Sequence, residues 1–322
     1  MSEKSETDIL QAPNASTPIN ILPSKPPSIK ERSWLIFAIP ATFAILINVL
    51  IFVFLLSLGV TFFTQYSPID FFFGTTWNSQ LNVFGFLPMV YGTFVVVLIA
   101  TLIAVPLGFG VSIFVSEIAT PRLRSGIKVI IELLAGVPSI VYALMGMWYV
   151  VPFVGQVFGG RSGWNGISGG LVLSIMILPM IVTLSDDALR GVPKELKEAG
   201  YALGSTKWQV IHKVSLPLAS PGMFTAIILA ISRAFGETIV VLIITGNAPV
   251  IPNPFWDFTQ SIRTMTANIV AEMGDATIGS EQYNAMLVSG LILFCVTFVF
   301  NYVGSLYQRR MTKKYAAFKT ST

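Results

Sequence analysis

The stretch ELKEAGYALGSTKWQVIHKVSLP, Glu195 to Pro217, decides the reading of this chain. It is polar, and strongly apolar sequence lies on both sides of it. Its spacing predicts two short amphipathic helical pieces meeting at Gly204, with Leu216-Pro217 marking the return to apolar sequence. A charged helix–turn–helix between two membrane spans has no role in holding a bundle together in lipid. It is shaped to dock against something in the aqueous phase. The chain therefore reads as a membrane subunit worked on by a soluble partner.

Composition supports the membrane half of that statement. Of the 322 residues, 53% are hydrophobic and 11% charged, and the mean hydropathy is +0.73. A soluble globular domain carries about 25% charged residues, so this chain needs a bilayer. A helix crosses the hydrocarbon core with about 20 apolar residues. Six segments qualify: Trp34–Phe63, Pro88–Val115, Ile127–Val151, Ile167–Leu184, Gly222–Thr245 and Ala285–Tyr307. The first is too long for the apolar core of a signal peptide and lacks a small-x-small cleavage site after it, so it is expected to be retained. The expected fold is an all-α polytopic membrane protein with six transmembrane helices.

Charge placement orients the spans. With the N-terminus inside, 17 of the 20 Lys and Arg residues fall on one side, in both tails and in the loops after the second and fourth spans. Arg161 and Arg263 fall on the other. Basic residues accumulate in cytoplasmic loops, so both termini are expected in the cytoplasm. Three regions follow: a disordered Ser/Pro/Thr-rich tail over 1–33, a permease region over 34–308 and a basic tail over 309–322. The permease region contains a cytoplasmic loop over 186–217 and an outer loop over 247–284. The outer loop has helical spacing from Phe258 to Met273. Its 38 residues mark it as functional, because long structureless loops are uncommon in compact proteins.

Several chemistries are excluded. One cysteine, Cys295, and one histidine, His212, are too few for a metal cage or a Cys/His nucleophile site. No G-x-x-x-x-G-K-[ST] loop is present. ATP and Mg2+ would have to be held by a separate subunit, and this chain is expected to bind no cofactor and catalyse nothing itself.

The residues that carry function lie in the fifth apolar segment, MFTAIILAISRAFGETIVVLIIT, Met223 to Thr245. Arg233 falls roughly 15 Å deep at about 1.5 Å per residue. Glu237 follows four residues later, on the same face of a continuous helix. An arginine at the centre of a span costs about 2.5–3.5 kcal/mol on insertion scales. Two leucines would serve packing as well as a self-cancelling ion pair, so a charged pair here points to a transport pathway. The guanidinium fork suits a tetrahedral oxyanion. Glu237 would hold Arg233 between cargoes, and Gly236 would leave room between the two. In the third segment, GVPSIVYALMG at Gly136–Gly146 reads equally as helix packing or as a bent, pathway-lining helix, with Pro138, Ser139 and Tyr142 as lining candidates.

The polar stretch resembles the cytoplasmic EAA loop of type I ABC-importer permeases. The pattern stands here as Glu198-Ala199-Gly200, Gly204, Val214 and Leu216-Pro217, with Gly200 replacing an alanine and Val214 an isoleucine. The Gly136–Gly146 stretch and SRAFGETIVVLIITGN, Ser232 to Asn247, are similar to segments of high-affinity phosphate importer permeases of the C type. The resemblance implies an A-type permease partner, two copies of an ATP-binding subunit and a periplasmic phosphate-binding protein. It implies that Glu198, Ala199, Gly204, Leu216 and Pro217 couple to the ATPase, and that Arg233 and Glu237 act in transport of phosphate. The rival readings are a permease for sulfate, molybdate or a phosphonate, and a proton-coupled secondary transporter in which Glu237 carries the proton.

Overall fold

Proline and glycine decide where the apolar segments become separate helices. The computed structural model describes residues 33–158 and 162–319, and side chains within 36–158 and 162–310. The basic residues before Ser33, Arg161, and the disordered tail expected over the first 32 residues lie outside the described residues. The chain divides into two compact units at Ile51/Phe52. In the first unit the described residues form the beginning of α1 (Ser33–Phe62), whose apolar side chains from Ile36 onward are mostly exposed.

The second unit holds the rest of α1 and everything after it. A short outer segment follows: α2 (Pro68–Phe73), then β1 (Trp77–Asn78) paired antiparallel with β2 (Val83–Phe84). Its aromatic rings pack on one another, with Phe71 stacked on Phe86 and Trp77 edge-on to Phe84. These rings are the core of a small cap, which explains an aromatic loop that also suits a headgroup-level belt.

The next helices are α3 (Leu87–Ile113), α4 (Pro121–Gly136), α5 (Ser139–Met145), α6 (Val151–Val157) and α7 (Gly166–Arg190). Helices α3 and α7 form the main packing pair and run parallel. A Cβ on Gly170 would meet Ile99, and one on Gly108, further along α3, would meet Ile181, further along α7. Small residues permit this close approach in lipid. Val96, Ala100, Ala104, Leu173, Ile177 and Ile181 are buried in the core. Both α3 and α7 continue through a proline, Pro106 and Pro179.

The third span departs from expectation. It runs Ser139–Val157, not Ile127–Val151. Pro138 has no N–H to continue a helix and disfavours helical geometry at the residue before it. Val137 is extended (φ −69°, ψ 128°), so α4 ends there as a separate amphipathic helix with no buried residue. Of the two glycines flanking the break, Gly146 packs tightly on Ile244 and Val172, while Gly136 has open space beside it.

The remaining helices are α8 (Lys194–Ala202), α9 (Lys207–Val210), α10 (Leu216–Phe235), α11 (Ile239–Ile244), α12 (Met265–Met273) and α13 (Glu281–Lys319). A π-helical turn, Ile211–Ser215, joins α9 to α10, making one apolar helix from Lys207 to Phe235. Leu216-Pro217 is therefore no boundary. The wide turn before Pro217 absorbs the proline's missing N–H. The outer segment is helical over Met265–Met273, shorter than the Phe258–Met273 spacing implied, because the chain from Phe258 to Thr264 makes turns and a bridge between Gly246 and Ile262. The last helix carries Arg309 and Arg310 onward to Lys319, so the basic tail begins as a helical extension. Among the described residues six helices are long and apolar enough to cross a membrane.

Candidate functional site: a broken span and a docking hairpin

The fifth span is broken at its middle. A Cβ on Gly222 would touch Ala188, and one on Gly169 would touch Thr245, so α10 and α11 together run antiparallel to α7. The stretch of α7 from Gly169 to Ala188 is about 28 Å long, the thickness of a hydrocarbon core. Arg233 lies about 16 Å along α10 from Gly222, close to mid-depth. Two residues later α10 ends, and Gly236–Thr238 separates it from α11. Phe235 anchors the break: it is buried, with its ring against Phe94 and Phe300.

The break overturns the expected pairing of Arg233 with Glu237. Glu237 has left the helix, so the two no longer share a helical face. Its Oε1 instead accepts the Val240 N–H at 3.2 Å, at the start of α11. A carboxylate is favoured there by unsatisfied N–H groups and by the helix dipole. Arg233 is exposed on this chain and makes no ion pair or hydrogen bond among the described residues. Its charge is felt at Tyr142. Gly236 is exposed, and a Cβ there would meet only the carbonyls of Arg233 and Ser232 at 3.7 and 3.9 Å, so no second backbone uses that space.

The three lining candidates cluster at the α4–α5 break. Pro138 is exposed and Ser139 partly buried. Tyr142 is buried, and its hydroxyl donates to the Leu134 carbonyl at 2.7 Å, stapling α5 to the last turn of α4. Helix α11 packs on α5, so Tyr142 and the Arg233–Glu237 break belong to one region.

At the other end of α7 the hairpin takes the expected form. Gly204 has φ +79° with nothing within 4 Å of its Cβ position. Glycine is required there by backbone conformation, not by crowding. Thr206 and Gln209 make a reciprocal capping box at the start of α9. A Cβ on Gly200 would sit 3.1 Å from Val210, so the glycine in place of alanine lets α8 close onto α9. Glu198, Ala199 and Pro217 are exposed, Leu216 is half-buried, and Leu203, Trp208 and Tyr201 present apolar surface to solvent.

The ties that hold this hairpin were absent from the sequence reading. Lys197 of α8 pairs with Glu117, just beyond α3, and both are largely buried. Asp186, 2% exposed, is surrounded by Arg124 and Lys128 of α4 and Arg190 of α7. The Asp186–Arg190 spacing of four was visible in sequence; the other partners were not. On the outer side Arg263 pairs with Glu272 at 2.8 Å, and Ser79 Oγ also donates to Glu272. Burial would raise the Glu272 pKa. The bonds from Ser79 and Arg263 and the Arg263 charge outweigh it and hold the carboxyl below the usual glutamate value.

Residues 104–313 match the family described as binding-protein-dependent transport system inner membrane components. The chain belongs to that family. The membership covers the docking hairpin and the broken span together. Among curated relatives of this inner membrane component, the Bacillus subtilis protein named Probable ABC transporter permease protein YqgH is 40% identical over 73% of this chain and 75% of its own length. The phosphate transport system permease protein PstC of Xylella fastidiosa is 36% identical, covering 78% of this chain and 82% of that protein. Of solved structures, a chain of a bacterial alginate ABC transporter aligns with TM-score 0.60 at 15% identity, over 88% of this chain and 96% of that one. A chain of the inward-facing MetNI methionine ABC transporter aligns with TM-score 0.52 at 19% identity, over 77% and 99%. At those identities the likeness is one of fold.

Proposed function

We propose that this inner membrane component is one permease half of an ATP-driven phosphate importer. The observation that carries the reading is Arg233: a permanent cation at mid-depth, at a helix break, with no partner on its own chain. Such a charge is costly unless another group meets it. A tetrahedral oxyanion is matched to its fork of donors. The similarity to PstC proteins supports phosphate as that oxyanion.

The second permease half, of the A type, completes the pathway in this reading and faces Arg233. Two copies of an ATP-binding subunit, which hold ATP and Mg2+, press on Glu198, Ala199 and Gly204 and on the exposed Leu203 and Trp208 beside them. Leu216 and Pro217 carry the push into α10 through the π turn. A periplasmic phosphate-binding protein docks on the outer side, and both termini lie in the cytoplasm. The parallel course of α3 and α7 supports this orientation, since it puts Arg124, Lys128, Arg190 and Lys197 together at one end.

The test is reconstitution of the whole complex in proteoliposomes. Radiolabelled phosphate should enter only with ATP on the hairpin side and binding protein on the other. Hydrolysis stimulated by sulfate or molybdate, and not by phosphate, would reassign the cargo. Uptake driven by a proton gradient without ATP would replace the ATP-driven reading.

A further inference from the structure

The break that carries Glu237 is tied to the outer segment through one side chain. Thr266, in the first turn of α12, is 5% exposed, and its Oγ1 donates to the backbone carbonyl of Glu237 at 2.6 Å. Among the described residues this is the only side-chain hydrogen bond between the Asn247–Asn284 segment and Gly236–Thr238. The start of α12 is also fixed to α3, where the Met265 N–H donates to Thr93 Oγ1 at 2.9 Å. From there polar contacts run outward. Asn268 Oδ1 accepts from Arg263 at 3.0 Å, and Arg263 Nε donates to the Asn247 carbonyl at 2.9 Å. Glu272 accepts from Arg263, from Ser79 in the aromatic cap and from Gln282 at the start of α13.

The chain of contacts has a consequence for Glu237. Its carboxylate position is set by its own backbone, because the side chain reaches only three residues on, to Val240. A shift of the Glu237 peptide therefore moves the carboxylate relative to Arg233. Thr266 holds that peptide by its carbonyl.

We propose that Thr266 is a positioning residue that relays displacement of the outer segment to Glu237. A protein docking on the outer face would move Arg263–Glu272, and the Thr266 hydroxyl would carry that movement to the break. Docking outside then changes how Arg233 and Glu237 face the pathway. The proposal deepens the transport reading above and rests on it.

The test uses Thr266→Val, which keeps the branched shape and removes the hydroxyl, in the full complex. Thr266→Ser restores the donor. Thr297→Val, whose hydroxyl bonds only along α13, makes the same chemical change elsewhere. Two quantities are measured with and without phosphate-loaded binding protein: ATP hydrolysis, and amide hydrogen exchange over residues 236–241. In the wild type, binding protein should change exchange at the break and stimulate hydrolysis. Thr266→Val should lose the exchange response, and stimulation should fall about fivefold, the effect of one net hydrogen bond. Thr266→Ser and Thr297→Val should behave as wild type. The relay is overturned by a Thr266→Val complex with a full exchange response. It is overturned equally by a wild type whose break ignores binding protein, or by losses that only follow the amount of inserted protein and that serine does not rescue. A wild type whose break responds to docking but which moves no phosphate would remove the cargo assignment and leave the relay standing.

Discussion

Lys197 Nζ lies 2.7 Å from Glu117 Oε1, and this pair joins the docking hairpin to the end of α3 across 80 residues of sequence. Helix α8 has no buried residue of its own. The Lys197 ammonium also lies 3.4 Å from the Leu189 carbonyl in the last turn of α7. One side chain thus ties α8 to both members of the main packing pair. Any push on α8 reaches α3 and α7 together.

Lys197→Met alone should destabilise the complex by about 3–5 kcal/mol, because it strands a buried carboxylate. Lys197→Met with Glu117→Leu should recover most of that stability, since an apolar pair replaces a buried ion pair at little cost. If the bridge transmits force, the double variant should still hydrolyse ATP yet move less phosphate per ATP. Thermal stability and the uptake-to-hydrolysis ratio separate the two effects. A double variant that is stable and fully coupled would show the pair to be structural.

Gly204 distinguishes conformation from crowding. Its Cβ site is empty, so size alone should be tolerated. Gly204→Asn should retain most transport, because asparagine accepts positive φ. Gly204→Val should cost about 1–2 kcal/mol in the turn and weaken docking of the ATPase. Co-purification of the ATP-binding subunit with each variant measures this.

Arg233→Gln should insert normally, because Arg233 makes no bond that holds this chain together. Phosphate uptake should fall about 10- to 100-fold, the worth of one or two charge-assisted hydrogen bonds. Arg233→Lys should retain part of it. Glu237→Gln keeps an acceptor for the Val240 N–H, so α11 should stay capped. Slow turnover in a well-inserted Glu237→Gln protein would place the carboxylate on the pathway. Wild-type uptake by both Arg233→Gln and Glu237→Gln would remove the site.

Glu272 predicts an acid-sensitive outer network. Its folded pKa is depressed, so the stability it contributes is present above the unfolded value of about 4.3. That stability is lost as pH falls through the lower folded value. Glu272→Gln should be less stable than wild type at pH 7, and the gap should close as the medium is acidified below about pH 4. Limited proteolysis of the outer segment across that range measures it. A gap that widens in acid would contradict the assignment.

What the sequence determined is what local rules determine. Hydropathy over about 20 residues marks a span wherever it occurs, and all six spans were legible, with the third misplaced until the Val137–Pro138 break was seen. The Gly204 turn and the depth of Arg233 were legible for the same reason: each depends on a few neighbouring residues or on distance along one helix. Side-chain partnership is not local. Arg233 and Glu237 stand four apart, the ideal spacing for a helical pair, yet the helix ends between them and Glu237 turns to Val240. Nothing nearby in sequence announces that break, because α11 is positioned by packing on α5 and α7, and the Glu237 carbonyl by Thr266, 29 residues on. Lys197 meets Glu117, and Asp186 meets Arg124 and Lys128, because α3 and α7 run side by side in the same direction and bring distant cytoplasmic ends together. A buried charge must find its counter-charge wherever the packed helices place one, and that placement exists only in the tertiary structure.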